Sequence, residues 1–125
     1  MKKKQKSVKL KRLKVPILNN EYFVYVLWGN VDKALQFMKS YYGDKTLTKD
    51  MFNGCRGRTF YCEGCYPVIW VNTKIHFYAS LAHEATHAIN YIWEQIGEKV
   101  KDEVYGHSVG AIVREVCKLK RKKRT

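Results

Sequence analysis

Both ends of this chain lack acidic residues. No Asp or Glu occurs before Glu21 or after Glu115, while Lys2, Lys3, Lys4, Lys6, Lys9, Lys11, Arg12 and Lys14 crowd the front and Lys118, Lys120, Arg121, Lys122, Lys123 and Arg124 the back. These terminal cations carry the formal net charge of +13, because the remaining ten basic residues are offset by all eleven acids in the centre. Two cationic tails flanking a near-neutral centre call for a polyanion partner, nucleic acid before any other. Both runs also lack aromatic residues, which excludes base stacking by the tails and makes the expected contact sequence-neutral. Solvated ends that only aid solubility are the plainer reading of the same charges.

Long apolar runs are missing as well. No stretch approaches eighteen consecutive apolar residues, so no membrane span is expected. The basic front is not followed by an uninterrupted apolar region and a small-residue cleavage site, which argues against a secretory leader and for a reducing cytoplasm. There is no internal repeat. The 103 residues between the charge runs suffice for one core and not for two. The expected organisation is a basic tail over 1–14, one domain over 15–117 and a basic tail over 118–125.

What the chain does contain is the string His83-Glu84-Ala85-Thr86-His87. On a helix, residues four apart lie within about 40° of each other and one turn apart, so two imidazoles reach one ion at roughly 2.0–2.1 Å. Glu84 points about 100° away, where it can hold a water beside the metal. The flanks are helical in pattern: Leu81, Ala85, Ala88, Ile89, Ile92, Trp93 and Ile96 form one apolar stripe. That stripe centres about 200° from His83, whereas His83, His87, Asn90 and Glu94 share the opposite face. Histidines held in a core by hydrogen bonds would lie inside the stripe, so their position favours metal ligands.

Zinc that keeps one position open for water takes three protein ligands. Glu94 sits about 10 Å along the axis from His87, too far for the same ion. Gly97 ends the helix and Glu98 to Lys101 reads as a connector, which leaves the third ligand to the next helix, Asp102 to about Leu119. There Glu103 and His107 project together, with Glu103 the first choice, then His107, then Asp102. A first-turn carboxylate that only stabilises the helix end is the alternative for Glu103. Gly106 and Gly110 flank this face, and each costs about 1 kcal/mol of helix stability unless close approach to the zinc helix offsets it.

Leu81 to Ala88 (LAHEATHA) followed by Glu103 to Gly110 (EVYGHSVG) resembles the minimal gluzincin-type metallopeptidases of phages and mobile elements, including the ImmA/IrrE-like group. In that group the zinc helix is followed by an E-x-x-A-x-x-[FY]-A helix. The resemblance implies zinc on His83, His87 and Glu103, with Glu84 activating water. Here Gly106 and Gly110 replace the family's Ala, and Val109 replaces its aromatic residue. The likeness spans residues 66–116, and only the HExxH part is specific.

The implied reaction is hydrolysis of a peptide bond in a polypeptide substrate. Zinc lowers the pKa of water towards 7 and polarises the carbonyl, and Glu84 takes the proton and later delivers it to the leaving amine. His107 either donates to the developing oxyanion or orients Glu103, and Tyr105 is a less well aimed donor. A second class of function fits the charge: a zinc-stabilised, catalytically silent nucleic-acid-binding or inhibitory protein.

Upstream, Glu21 to Trp28 reads as a strand, Asn30 to Tyr42 as a helix started by Asn30 and Asp32, and Val68 to Asn72 as a further strand. In the resembling enzymes the strand before the zinc helix runs along the active-site cleft, where an extended peptide can add to its edge. A plain sheet-edge strand is the other reading. The fold class expected is α+β, a small zincin-like domain with a short sheet, the active-site helix and a second ligand helix. Cys62-Glu63-Gly64-Cys65 forms one CxxC knuckle near Cys55. It reads as a second zinc site completed by His76 or Cys117, as a redox or disulfide pair, or as reduced cysteines in a hairpin.

Overall fold

Alternation of side chains governs the first half of the chain. The computed structural model describes residues 9–17, 21–73, 76–96 and 102–122, apart from the side chains of 102–105. In β1 (Leu10–Ile17), Leu13, Val15 and Ile17 turn to one side while Arg12 and Lys14 turn to the other. In β2 (Tyr22–Gly29), Val24, Val26 and Trp28 join the first side and Tyr25 and Leu27 the second. The two strands pair antiparallel over their whole length, Leu10 opposite Gly29 and Ile17 opposite Tyr22. Gly29 has φ of 110° and a side chain there would collide with the Lys9 carbonyl, so glycine lets β1 begin beside it.

The basic front therefore does not remain a tail through residue 14. Residues 10–14 belong to β1, where Arg12 and Lys14 are exposed on one face and Lys11 falls on the other in phase with Leu13 and Val15. Pro16 sits in this strand, where an edge position tolerates its missing N–H. The back differs in the same way. Helix α3 (Asp102–Lys122) includes residues 118–122, and Lys120 Nζ lies 3.6 Å from the Phe77 ring centroid.

Helix α1 (Val31–Tyr42) starts as its sequence predicts, with Asn30 Oδ1 accepting from the Lys33 N–H at 3.0 Å. After a 3-10 turn (Lys49–Phe52) the chain forms β3 (Gly57–Phe60) and β4 (Val68–Val71), a hairpin closed by the cysteine knuckle. β4 pairs parallel with β2, so the sheet is mixed, in the order β1-β2-β4-β3. The strand before the zinc-motif helix is thus not an edge. Val68, Ile69, Trp70 and Val71 are all buried, as an unbroken apolar run between two neighbours and two covered faces requires. The edge on that side is β3.

Two apolar clusters lie on the two faces of the sheet. Helix α2 (Phe77–Ile96) and α3 cover the first, with Leu81, Ala85, Ala88, Ile89, Ile112 and Val116 fully buried against Val15, Val24, Val26 and Ile69. Each large aliphatic buried this way contributes about 1.5–3 kcal/mol. α1 covers the second through Ala34 and Met38 against Leu27 and Trp70. The architecture is α+β, with one four-stranded mixed sheet and three α-helices among the described residues. Among the described residues no helix is long and apolar enough to cross a membrane.

The glycines of α3 do not serve close packing. Gly106 and Gly110 are solvent-exposed, and a Cβ on either would meet nothing within 4 Å. The helix packs instead through Ser108, Ile112 and Val116, spaced four apart on another face.

Candidate metal and catalytic site

The apolar stripe of α2 decides which way its histidines point. With Leu81, Ala85, Ala88, Ile89 and Ile92 turned into the core, His83, His87, Asn90 and Glu94 are exposed, the arrangement the helical wheel predicts. The two imidazoles meet edge to face, with centroids 4.8 Å apart and planes at 81°. Their Nε2 atoms are 3.2 Å apart. Two bonds of 2.0–2.1 Å at a tetrahedral angle separate donor nitrogens by about 3.3 Å, so one ion fits between the rings. The same separation suits an N–H···N hydrogen bond between two neutral rings.

Glu84 lies between the exposed and buried faces and is only 8% exposed. It is held there by β3. The Thr59 hydroxyl reaches both Glu84 Oε1 and the Glu84 carbonyl oxygen at 2.9 Å. Glu84 Oε2 lies 3.9 Å from His83 Nε2, beside the imidazole pair but beyond direct hydrogen bonding. Gly57 makes room for this contact. A Cβ at that position would stand 2.9 Å from Glu84 Cγ and 3.1 Å from the Trp70 carbonyl oxygen. An edge strand, a hydroxyl and a missing side chain together fix the carboxylate next to the two imidazoles.

A cleft of about 570 Å³ opens at this point, bounded by Arg56, Gly57, His76, Ser80, His83 and Glu84. His76 is exposed, adopts φ of 50°, and its carbonyl accepts the Ser80 N–H at 3.0 Å to begin α2. It therefore sits at the cleft and not with the cysteine knuckle. Thr59, Gly57 and Arg56 escape a reading of local sequence. Thr59 is 25 residues from Glu84, and nothing near it signals a catalytic neighbour.

On α3, His107 is described and solvent-exposed. The side chains of Glu103, Asp102 and Tyr105 lie outside the described residues, so the first-choice third ligand is placed only on the first turn of α3. Among the described residues no group of three or more His, Cys, Asp or Glu side chains comes together. That holds for the knuckle too, where Cys55, Cys62 and Cys65 are free thiols, as is Cys117 on α3. Cys62 and Cys65 form a turn through the Cys65 N–H to the Cys62 carbonyl at 3.0 Å, and Tyr91 on α2 donates to the same carbonyl at 3.2 Å. Burial pushes the Cys65 thiol up, and its hydrogen bond with Cys62 adds to this.

In comparisons with known proteins, no family model matches this chain, and neither a curated protein nor a solved structure matches it.

Proposed function

We propose that the chain is a zinc-dependent metallopeptidase of the HExxH, zincin-like kind. The observation that carries the reading is the imidazole pair on α2, Nε2 atoms 3.2 Å apart, with a buried carboxylate fixed beside it by Thr59. His83 and His87 are two ligands and Glu103 on α3 the third. Bound zinc supplies Lewis acidity, which acidifies water and polarises a carbonyl. Glu84 takes the proton from water and returns it to the leaving amine, and Thr59 keeps its carboxylate aimed. His107 donates to the developing oxyanion or orients Glu103.

The substrate is a polypeptide in extended form. β3 has one edge unpaired among the described residues and runs beside Glu84, so a peptide adding to that edge lies across the base with main-chain hydrogen bonds and little demand on sequence. The resemblance extends the proposal to a phage or mobile-element protein acting in a host cytoplasm. The excess of positive charge supports one other reading, a zinc-stabilised, catalytically silent protein that binds nucleic acid or inhibits a partner.

Elemental analysis tests the ligand set. Purified protein is expected to carry about one zinc per chain and the His83→Ala/His87→Ala variant none, with a loss of thermal stability through ligand linkage. Stoichiometric zinc retained by the double variant overturns the site.

A further inference from the structure

The basic front of the chain reads differently once β1 is in place. On the sheet face away from α2 and α3, Arg12 and Lys14 project beside α1 over a sheet of rings. Lys14 Nζ is 4.2 Å from the Phe23 ring centroid and 5.7 Å from that of Tyr25, and the Arg12 guanidinium carbon is 5.7 Å from that of Phe37. Phe37 and Tyr41 are stacked, with planes at 20°, and Tyr25 packs against both at 5.3 and 5.0 Å. Between β1 and α1 runs an open groove of about 720 Å³ lined by Lys9, Arg12, Lys33, Phe37 and Tyr41, and next to it a second of about 420 Å³ lined by Arg12, Lys14, Tyr25 and Phe37.

Charge identifies the occupant. Lys9, Arg12, Lys14 and Lys33 are all exposed, and among the described residues none of them has a carboxylate partner. Asp32, the nearest acid in sequence to Lys33, is bound by Lys49 at 3.0 Å. Arg12 and Lys14 stand two residues apart on one strand face, where like charges repel. Lys2, Lys3, Lys4 and Lys6 precede Lys9 in sequence and continue the same sign. Unbalanced cations over half-buried ring faces match a ligand that carries phosphates and flat bases together.

We propose that these two adjoining β1–α1 grooves bind single-stranded nucleic acid, its phosphates on Lys9, Arg12, Lys14 and Lys33 and its bases against the Phe37 and Tyr25 rings. Single strands are favoured over duplex because stacking needs a free base face. An anionic membrane fits less well, since the exposed large apolar side chains among the described residues, Tyr61 and Tyr78, lie outside the grooves. The proposal deepens the polyanion reading of the charge by moving recognition from the tails onto the folded domain. It is independent of the hydrolase reading, because Glu84 and the histidines lie on α2, across the sheet.

The test is fluorescence anisotropy of the full chain with a labelled oligothymidylate of about 20 nucleotides, over a salt series, beside a duplex of equal length and vesicles containing phosphatidylserine. Arg12→Gln/Lys14→Gln changes two exposed side chains and is expected to weaken oligonucleotide binding about tenfold or more, lowering the log–log salt slope by about 1.4. Phe37→Leu is expected to weaken it about tenfold with the slope unchanged, since stacking and not charge is lost. Removing residues 1–8 leaves the grooves and is expected to keep the preference for single strand over duplex. Circular dichroism and melting curves confirm folding, and zinc content and peptide turnover of the groove variants stay as in the wild type. The proposal is overturned if Arg12→Gln/Lys14→Gln binds the oligonucleotide like the wild type. Duplex bound as tightly as single strand, or vesicles bound through Arg12 and Lys14 while the oligonucleotide is not, overturns it equally.

Discussion

Thr59→Val removes one hydroxyl from the wall of the cleft and keeps the volume and shape of the side chain. That hydroxyl contacts Glu84 Oε1 and the Glu84 carbonyl at 2.9 Å each, and Glu84 is 8% exposed. A hydrogen bond to a charged group contributes roughly 1.5–3 kcal/mol, and an apolar methyl in its place leaves the buried carboxylate short of a donor. The expected loss of stability is about 2 kcal/mol, or roughly 8 °C in melting temperature for a chain of this size. Catalysis is expected to suffer separately. A base released from its anchor by about 1 Å costs on the order of 100-fold in kcat, with KM little changed because the substitution leaves the β3 main chain free to pair with substrate. Thr59→Ser keeps the hydroxyl and is expected to retain most of both properties. Steady-state turnover of a peptide library and calorimetric melting read the two effects. Wild-type kcat and melting temperature in Thr59→Val would refute the reasoning that β3 positions Glu84.

Gly57→Ala places a methyl 2.9 Å from Glu84 Cγ and 3.1 Å from the Trp70 carbonyl oxygen, so either the carboxylate or the β3–β4 pairing must give way. Destabilisation of about 1–3 kcal/mol and loss of turnover with zinc retained are expected from urea unfolding and elemental analysis; a neutral outcome would show that Glu84 is not confined there. Gly110→Ala meets open space on an exposed helical face and is expected to stabilise by about 0.5–1 kcal/mol. A destabilised Gly110→Ala in the same unfolding assay would mean that α3 does use that glycine for close approach.

The parts of this molecule legible in sequence are those whose signals are local. Asn30 before Val31 starts α1, the Glu21–Trp28 run becomes β2, and the stripe from Leu81 to Trp93 sets the exposed face of His83 and His87. β1 is hidden because Lys11 interrupts its inward face and Arg12 and Lys14 occupy its outward one, so its alternation is lost in a charge run. β3 is hidden because Gly57, Arg58, Thr59 and Phe60 carry no strand pattern and gain their meaning from α2, 25 residues on. The central place of β4 follows from four consecutive buried residues, which a short apolar run does not separate from an edge strand without its neighbours. Gly106 and Gly110 suggest a helix contact, yet both face open space, and nothing in the structure explains why α3 carries them.

Glu84 is proposed as a base beside zinc, a carboxylate of the site and not of the scaffold. Wild type and Glu84→Gln, each assayed for bound zinc and for cleavage of a denatured protein mixture, test it most directly. Both proteins are expected to carry about one zinc and to share one fold, with cleavage lost by several orders of magnitude in Glu84→Gln. Equal cleavage by the two proteins, or none by the wild type with zinc bound, would contradict it.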